Sequence, residues 1–81
     1  MRADTRRLDM TGKIKWFNDD KGYGWVTGDD GIDYFVHYSA FPDGHTRGLP
    51  AEALEKGRRI AFDPVMEQRG PRAEGVQIIW E

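Results

Sequence analysis

The sequence predicts an all-β fold, a small closed or nearly closed barrel of five strands with one short helical turn before the fourth. Three observations carry that expectation. Turn-forming residues recur at short intervals, at Gly12, 18–20, 28–31, 42–44, Gly57 and Gly70-Pro71. Several segments between them alternate with the period of two that a strand imposes. No stretch reads as a long helix, and closing a sheet of short strands removes its exposed edges.

The elements follow in order. Residues 1–10 mix charges without periodicity and are expected to form a flexible tail ahead of a single domain spanning 11–81. The first strand is expected at 13–18. The second, 23–27, places Tyr23 and Trp25 on one face and Gly24 and Val26 on the other. The third, 34–38, places Phe35 and His37 opposite Tyr34 and Val36. Residues 49–57 combine an early proline, good helix formers and a closing glycine, which reads as one to two helical turns docked through Leu49 or Leu54. The fourth strand, 59–66, contains Pro64, which has no N–H to donate and so belongs at an edge or a bulge. The fifth is expected at 73–80, with Trp80 as a core or edge ring. Ile14, Val26, Val36, Ile60, Phe62, Val76 and Ile78 suffice to fill so small an interior.

Composition narrows the function. A chain of 81 residues buries only about 60% of its unfolded surface, so its stability is expected to be a few kcal/mol. The absence of cysteine excludes disulfides, thiol nucleophiles and cysteine-ligated metals. No apolar run approaches 18 residues and the N-terminus has no apolar signal core, so a protein with no membrane association is expected, in the cytoplasm. A net charge of −2 argues against a strongly basic duplex-coating protein.

Candidate chemistry is sparse. Two histidines, His37 and His45, lack a third ligand at a recognisable spacing, so neither metal nor cofactor is expected. Asp29-Asp30-Gly31 lacks the other positions of a calcium loop and reads as a turn. Lys21-Gly22-Tyr23-Gly24 does not have phosphate-loop spacing, and Ser39 has no acid–base partners around it. What remains is the ring-bearing face. Solvent-facing strand positions are normally polar, so rings interrupted by Lys15 and Lys21 call for a planar, anionic partner, and nucleobases on a phosphate backbone have that character.

Three blocks extend this reading: Gly12-Lys13-Ile14-Lys15-Trp16-Phe17-Asn18, Lys21-Gly22-Tyr23-Gly24-Trp25-Val26 and Asp33-Tyr34-Phe35-Val36-His37-Tyr38-Ser39-Ala40. In order and near-spacing they resemble the cold-shock domain, a five-stranded antiparallel oligonucleotide-binding barrel, with a weaker echo at Arg69-Gly70-Pro71 and Ala73. The resemblance implies a base-stacking platform of Trp16, Phe17, Tyr23, Trp25, Phe35, His37 and Tyr38. It implies phosphate or base-edge contacts from Lys15 and Lys21, hydrogen bonds to bases from Asn18 and Asp33, a flanking Arg69, and a loop contact from His45 with Arg47. Trp16 and Phe17 are adjacent and cannot both point one way on a regular strand; that both reach the ligand is an implication of the resemblance alone.

The chain departs from the family pattern at Tyr23 and Trp25, where phenylalanine is usual, at Tyr34, where valine is preferred on the core side, at Phe41, and in a longer stretch from 42 to 55. The expected function is non-enzymatic binding of single-stranded RNA and DNA by a monomer acting as a passive RNA chaperone and cold-shock-type regulator. The rival from another class is a protein-interaction barrel that docks a peptide or a translation component on its rings.

Overall fold

The structure is a computed structural model and describes residues 10–80. The expectation of a flexible tail at 1–10 lies almost wholly outside the described residues; Met10 itself opens the first strand, opposite Phe62.

Five strands, β1 (Met10–Asn18), β2 (Tyr23–Gly28), β3 (Asp33–His37), β4 (Arg59–Glu67) and β5 (Gly70–Ile78), close into a barrel in the order β1-β2-β3-β5-β4. Strand β1 pairs antiparallel with both β2 and β4, and β2 with β3 and β4 with β5 are likewise antiparallel. The seam between β3 and β5 is parallel, with Phe35 opposite Arg72. This corrects the expectation of a wholly antiparallel barrel, and the reason is arithmetic: directions cannot alternate all the way round a closed ring with an odd number of strands.

Alternation decides the core. Strand β2 has inward Gly24, Val26 and Gly28 buried and outward Tyr23, Trp25 and Thr27 half-buried. The largest side chains shut off from solvent are Phe62, Ile14, Ile60, Val26, Val36 and Val76, all expected from the sequence. Ile78, also expected inside, is half-buried against the core. Tyr34 enters the interior edge-on to Phe62, with ring centroids 5.0 Å apart, and its hydroxyl donates to Asp30 at 2.7 Å. Burial and that bond push the phenol up to about 12. Asp30 also accepts the Ile32 N–H at 3.0 Å, so Asp29-Asp30-Gly31 is a turn and Gly31 takes its positive φ of 84°.

Pro64 takes the edge position and not the bulge, pairing in register with Ala73 just past the shift. The last residue of β4 paired with β1 is Phe62, so Pro64 lies where β4 pairs with β5 alone, and the β4–β5 register shifts between Ala61 and Asp63. The chain between β3 and β4 forms three single 3-10 turns, Tyr38–Ala40, Pro42–Gly44 and Ala51–Leu54. The last fulfils the helical expectation in its tightest form, burying Ala53 completely and packing Leu49 and Leu54 against the core. Trp80 lies beyond β5, 54% exposed, with the Arg58 guanidinium 4.8 Å from its ring centroid, so it is neither a core residue nor part of a strand. Among the described residues no helix is long and apolar enough to cross a membrane.

Candidate nucleic-acid interface

A bulge in β1 builds one border of the site. Ile14 faces Val26, yet Trp16 faces Trp25, so one extra residue, Lys15, is accommodated on the β1 side. Lys15 and Trp16 are consecutively exposed, and alternation resumes one residue late. Phe17 then lies opposite inward Gly24, and its ring packs edge-on to Phe41 at 5.3 Å. The structure thus separates two residues that the resemblance grouped: Trp16 joins the outward rings and Phe17 does not. The close approach depends on Gly24, because a Cβ there would overlap the Trp16 carbonyl oxygen and the Phe17 Cα.

The outward face carries a connected set of rings. Trp16 meets Tyr23 edge-on at 5.9 Å, Tyr23 stacks on Phe35 at 5.9 Å and 29°, and Phe35 meets Trp25 edge-on at 5.6 Å. Cross-strand pairing places Tyr23 opposite His37, and His37 lies against Tyr38 at 4.1 Å. Tyr38 leaves the strand at the first 3-10 turn, and its ring covers Gly22, where a Cβ would come within 2.6 Å of it. His37 Nδ1 accepts the Ser39 N–H at 3.3 Å, so His37 caps that 3-10 turn and Ser39 lies within it, the turn position that was one of the two roles expected of it. Edge-on, stacked and tilted pairs alternate among these rings, and the outward residues of β2 and β3 that carry them are only half-buried. Trp16 and Tyr38 remain 43% and 42% exposed.

Polar residues border the rings. Asp33 accepts from Lys15 Nζ at 2.7 Å and from Thr27 Oγ1 at 2.8 Å, and these bonds hold its carboxyl below the usual carboxylate range. Asn18 Oδ1 accepts the Lys21 N–H at 2.9 Å and so closes the β1–β2 turn. Asn18, Asp33 and Lys15, all expected to meet ligand, are therefore engaged within the protein. At the far end, Lys21, Tyr38, His45 and Arg47 line a cleft of about 340 Å³ together with Asp19, Asp20, Gly22 and Thr46. A hydrogen bond of 2.9 Å from Thr46 Oγ1 to Asp19 ties the loop to the β1–β2 turn and forms that cleft. Arg69 stands exposed in the β4–β5 turn, outside the cleft.

Sequence reasoning left Arg72 and Thr27 out of the site. Arg72 is the parallel partner of Phe35 and shares its outward face, where Glu67 at 2.8 Å and Glu74 at 2.5 Å hold the guanidinium. Only the β3–β5 seam reveals that position. Thr27, two residues beyond Trp25 on the same face, was legible from alternation.

A small barrel with a partly covered ring face and cations at its rim is the architecture of an oligonucleotide-binding module. Residues 10–79 match the family model described as the 'Cold-shock' DNA-binding domain. Cold shock protein 1 of Lactiplantibacillus plantarum is 49% identical over 65 residues, covering 80% of this chain and 91% of the relative. The cold shock-like protein CspC of Bacillus cereus is 44% identical over 68 residues, covering 83% and 95%. The cold shock-like protein of Aquifex aeolicus is 40% identical over 75 residues, covering 91% and 100%. The chain belongs to the cold-shock domain family, whose members are nucleic-acid-binding proteins and generally not enzymes.

Proposed function

We propose that the outward rings bind single-stranded RNA and DNA by stacking, and that this protein is a passive RNA chaperone acting as a monomer in the cytoplasm. The observation that carries the reading is the connected, half-covered set Trp16, Tyr23, Phe35 and Trp25, continued by His37 and Tyr38. Successive bases stacked on such rings are worth about 1–3 kcal/mol each by alanine substitution, so three or four give useful affinity. Because every base offers a π-face, sequence preference is weak. Lys21, Arg47 and Arg69 supply charge along the path, and Lys15 and Asp33 exchange their mutual bond for base edges or phosphate when ligand arrives.

With no loop of phosphate-binding spacing, unwinding draws only on differential affinity for the open strand. At free protein about 100-fold above the dissociation constant, one bound molecule shifts a hairpin by roughly 2.7 kcal/mol. With a base-pair step averaging about 1.4 kcal/mol in DNA, and RNA taken as similar or stronger, that offsets at most about two steps. Short or mismatched stems open, and long perfect stems resist unless several molecules bind.

The test is a fluorescence titration with a thymidine hexamer in a W80F background, which removes the tryptophan outside the ring face. Strong quenching of Trp16 and Trp25 at micromolar hexamer, and far weaker quenching by duplex, is the expected result. An unchanged spectrum would favour the rival in which the rings dock a protein.

A further inference from the structure

The outward surface does not stop at the rings. On β1, Lys13 is flanked on both sides by outward-facing partners, Thr27 of β2 and Arg59 of β4. Thr27 follows Trp25 on the same face, so the row Thr27, Lys13 and Arg59 continues directly from the rings across β1 to the β1–β4 seam. Lys15, in the bulge, stands between this row and Trp16.

Two like charges directly opposite on antiparallel strands are destabilising. Lys13 and Arg59 are such a pair, and little around them offsets the repulsion. Arg59 reaches Asp29 only at 3.9 Å, and Asp29 also accepts from the Thr11 hydroxyl. The buried Arg59 Nε has no hydrogen-bond partner, while 37% of the side chain remains exposed. Lys13 is exposed and has no ion-pair partner among the described residues. A cation pair that the described residues relieve only through the distant Asp29, and that continues a base-stacking surface, is suited to an anion arriving along that surface.

We propose that Lys13 and Arg59 form a phosphate-contact lane, separate from the rings, that holds the single strand after it leaves the platform past Trp25. The inference rests on the stacking reading above and adds a length dependence to it. A strand just long enough to cover the rings never reaches the lane. A longer strand places its backbone over the seam, where two phosphates meet the two cations and relieve their repulsion.

The experiment compares a thymidine hexamer with a dodecamer, oligomer in excess so that two proteins do not share one strand, from 50 to 200 mM salt. Each phosphate neutralised on a single strand adds about −0.7 to the slope of log affinity against log salt. The wild-type dodecamer slope is expected to be steeper than the hexamer slope by about 1.4, so that its affinity advantage shrinks about sevenfold over that range. In K13Q/R59Q the two slopes become equal, hexamer affinity at moderate salt stays near wild type, and the melting temperature is no lower. R59K, which keeps the charge, retains the wild-type difference. Equal slopes in the wild type would overturn the lane, as would a K13Q/R59Q protein that keeps the slope difference or melts well below wild type. A wild type that binds neither oligomer would instead overturn the stacking reading itself.

Discussion

Phe35 and Val36 are neighbours in β3, yet they belong to different problems. Val36 is completely buried and faces Gly24 across the sheet, part of the packing that holds the barrel shut. Phe35 faces Trp25 and Arg72 on the outside, half-buried, its ring shared between Tyr23 and Trp25. The same strands thus carry an apolar face that makes stability and an aromatic face that leaves π-surface uncovered. Period two keeps the two faces apart, so the residues that fold this protein and the residues that bind can be changed separately.

That separation is most severely tested from the inside. Phe62 is the largest fully buried side chain, and Phe62→Ala is expected to cost about 3–5 kcal/mol through lost transfer energy and the cavity left behind. In a domain holding only a few kcal/mol in total, most of the population unfolds at 37 °C. Circular dichroism melts check this, and a variant with near-native melting would show that the interior is not the source of stability.

On the outer face, Trp25→Ala is expected to weaken hexamer binding by about 1–3 kcal/mol, roughly five- to 150-fold, while the melting temperature falls by only a few degrees. Its cost to the fold is limited to half-buried contacts on the outer face, the edge-on pair with Phe35 among them, with no core cavity opened. Titration and melting of one sample check both halves, and a protein that unfolds would merge the two faces.

Tyr34 sharpens the comparison because it is the inward residue that keeps a polar group. Tyr34→Phe deletes the hydroxyl bound to Asp30 and is expected to cost about 1 kcal/mol at neutral pH. Its phenol ionises less readily when folded than when unfolded, so its contribution is intact below about pH 10 and is lost as pH rises toward about 12. The wild type is therefore expected to lose stability across that window more steeply than Tyr34→Phe, measured by urea unfolding at a series of alkaline pH values. Parallel curves would place the titration elsewhere. Asp30 has the opposite sign: its carboxyl is held low by Ile32 and Tyr34, so its contribution persists above the usual carboxylate value of 3.8 and fades as pH falls below it.

The alternation of β2 and β3 was legible in the sequence because both strands are regular: glycine, valine and the single inward ring Tyr34 on one side, Tyr23, Trp25, Phe35 and His37 on the other. Turns at 18–20 and 28–31 were legible for the same local reason. What escaped depends on non-local pairing. The bulge at Lys15 arises because β1 bends to serve both β2 and β4, and no residue in Lys15-Trp16-Phe17 announces which of them is the extra one. Consequently Trp16 and Phe17 could not be assigned to faces. Arg72 is brought beside Phe35 by a parallel seam with one registered pair, which carries no sequence signature. Trp80 was expected at a core or strand position on hydrophobicity alone, and a ring near a chain end can instead lie over an arginine.

The most direct test of the two-face account compares Phe35→Ala with Val36→Ala, adjacent substitutions measured for hexamer affinity and melting temperature under the same conditions. The account predicts opposite signatures. Phe35→Ala loses at least about fivefold in affinity and melts close to wild type, whereas Val36→Ala melts well below wild type and its folded fraction binds the hexamer normally. If Phe35→Ala bound normally, or if both substitutions moved the same property by similar amounts, the division of this barrel into a folding face and a binding face would be contradicted.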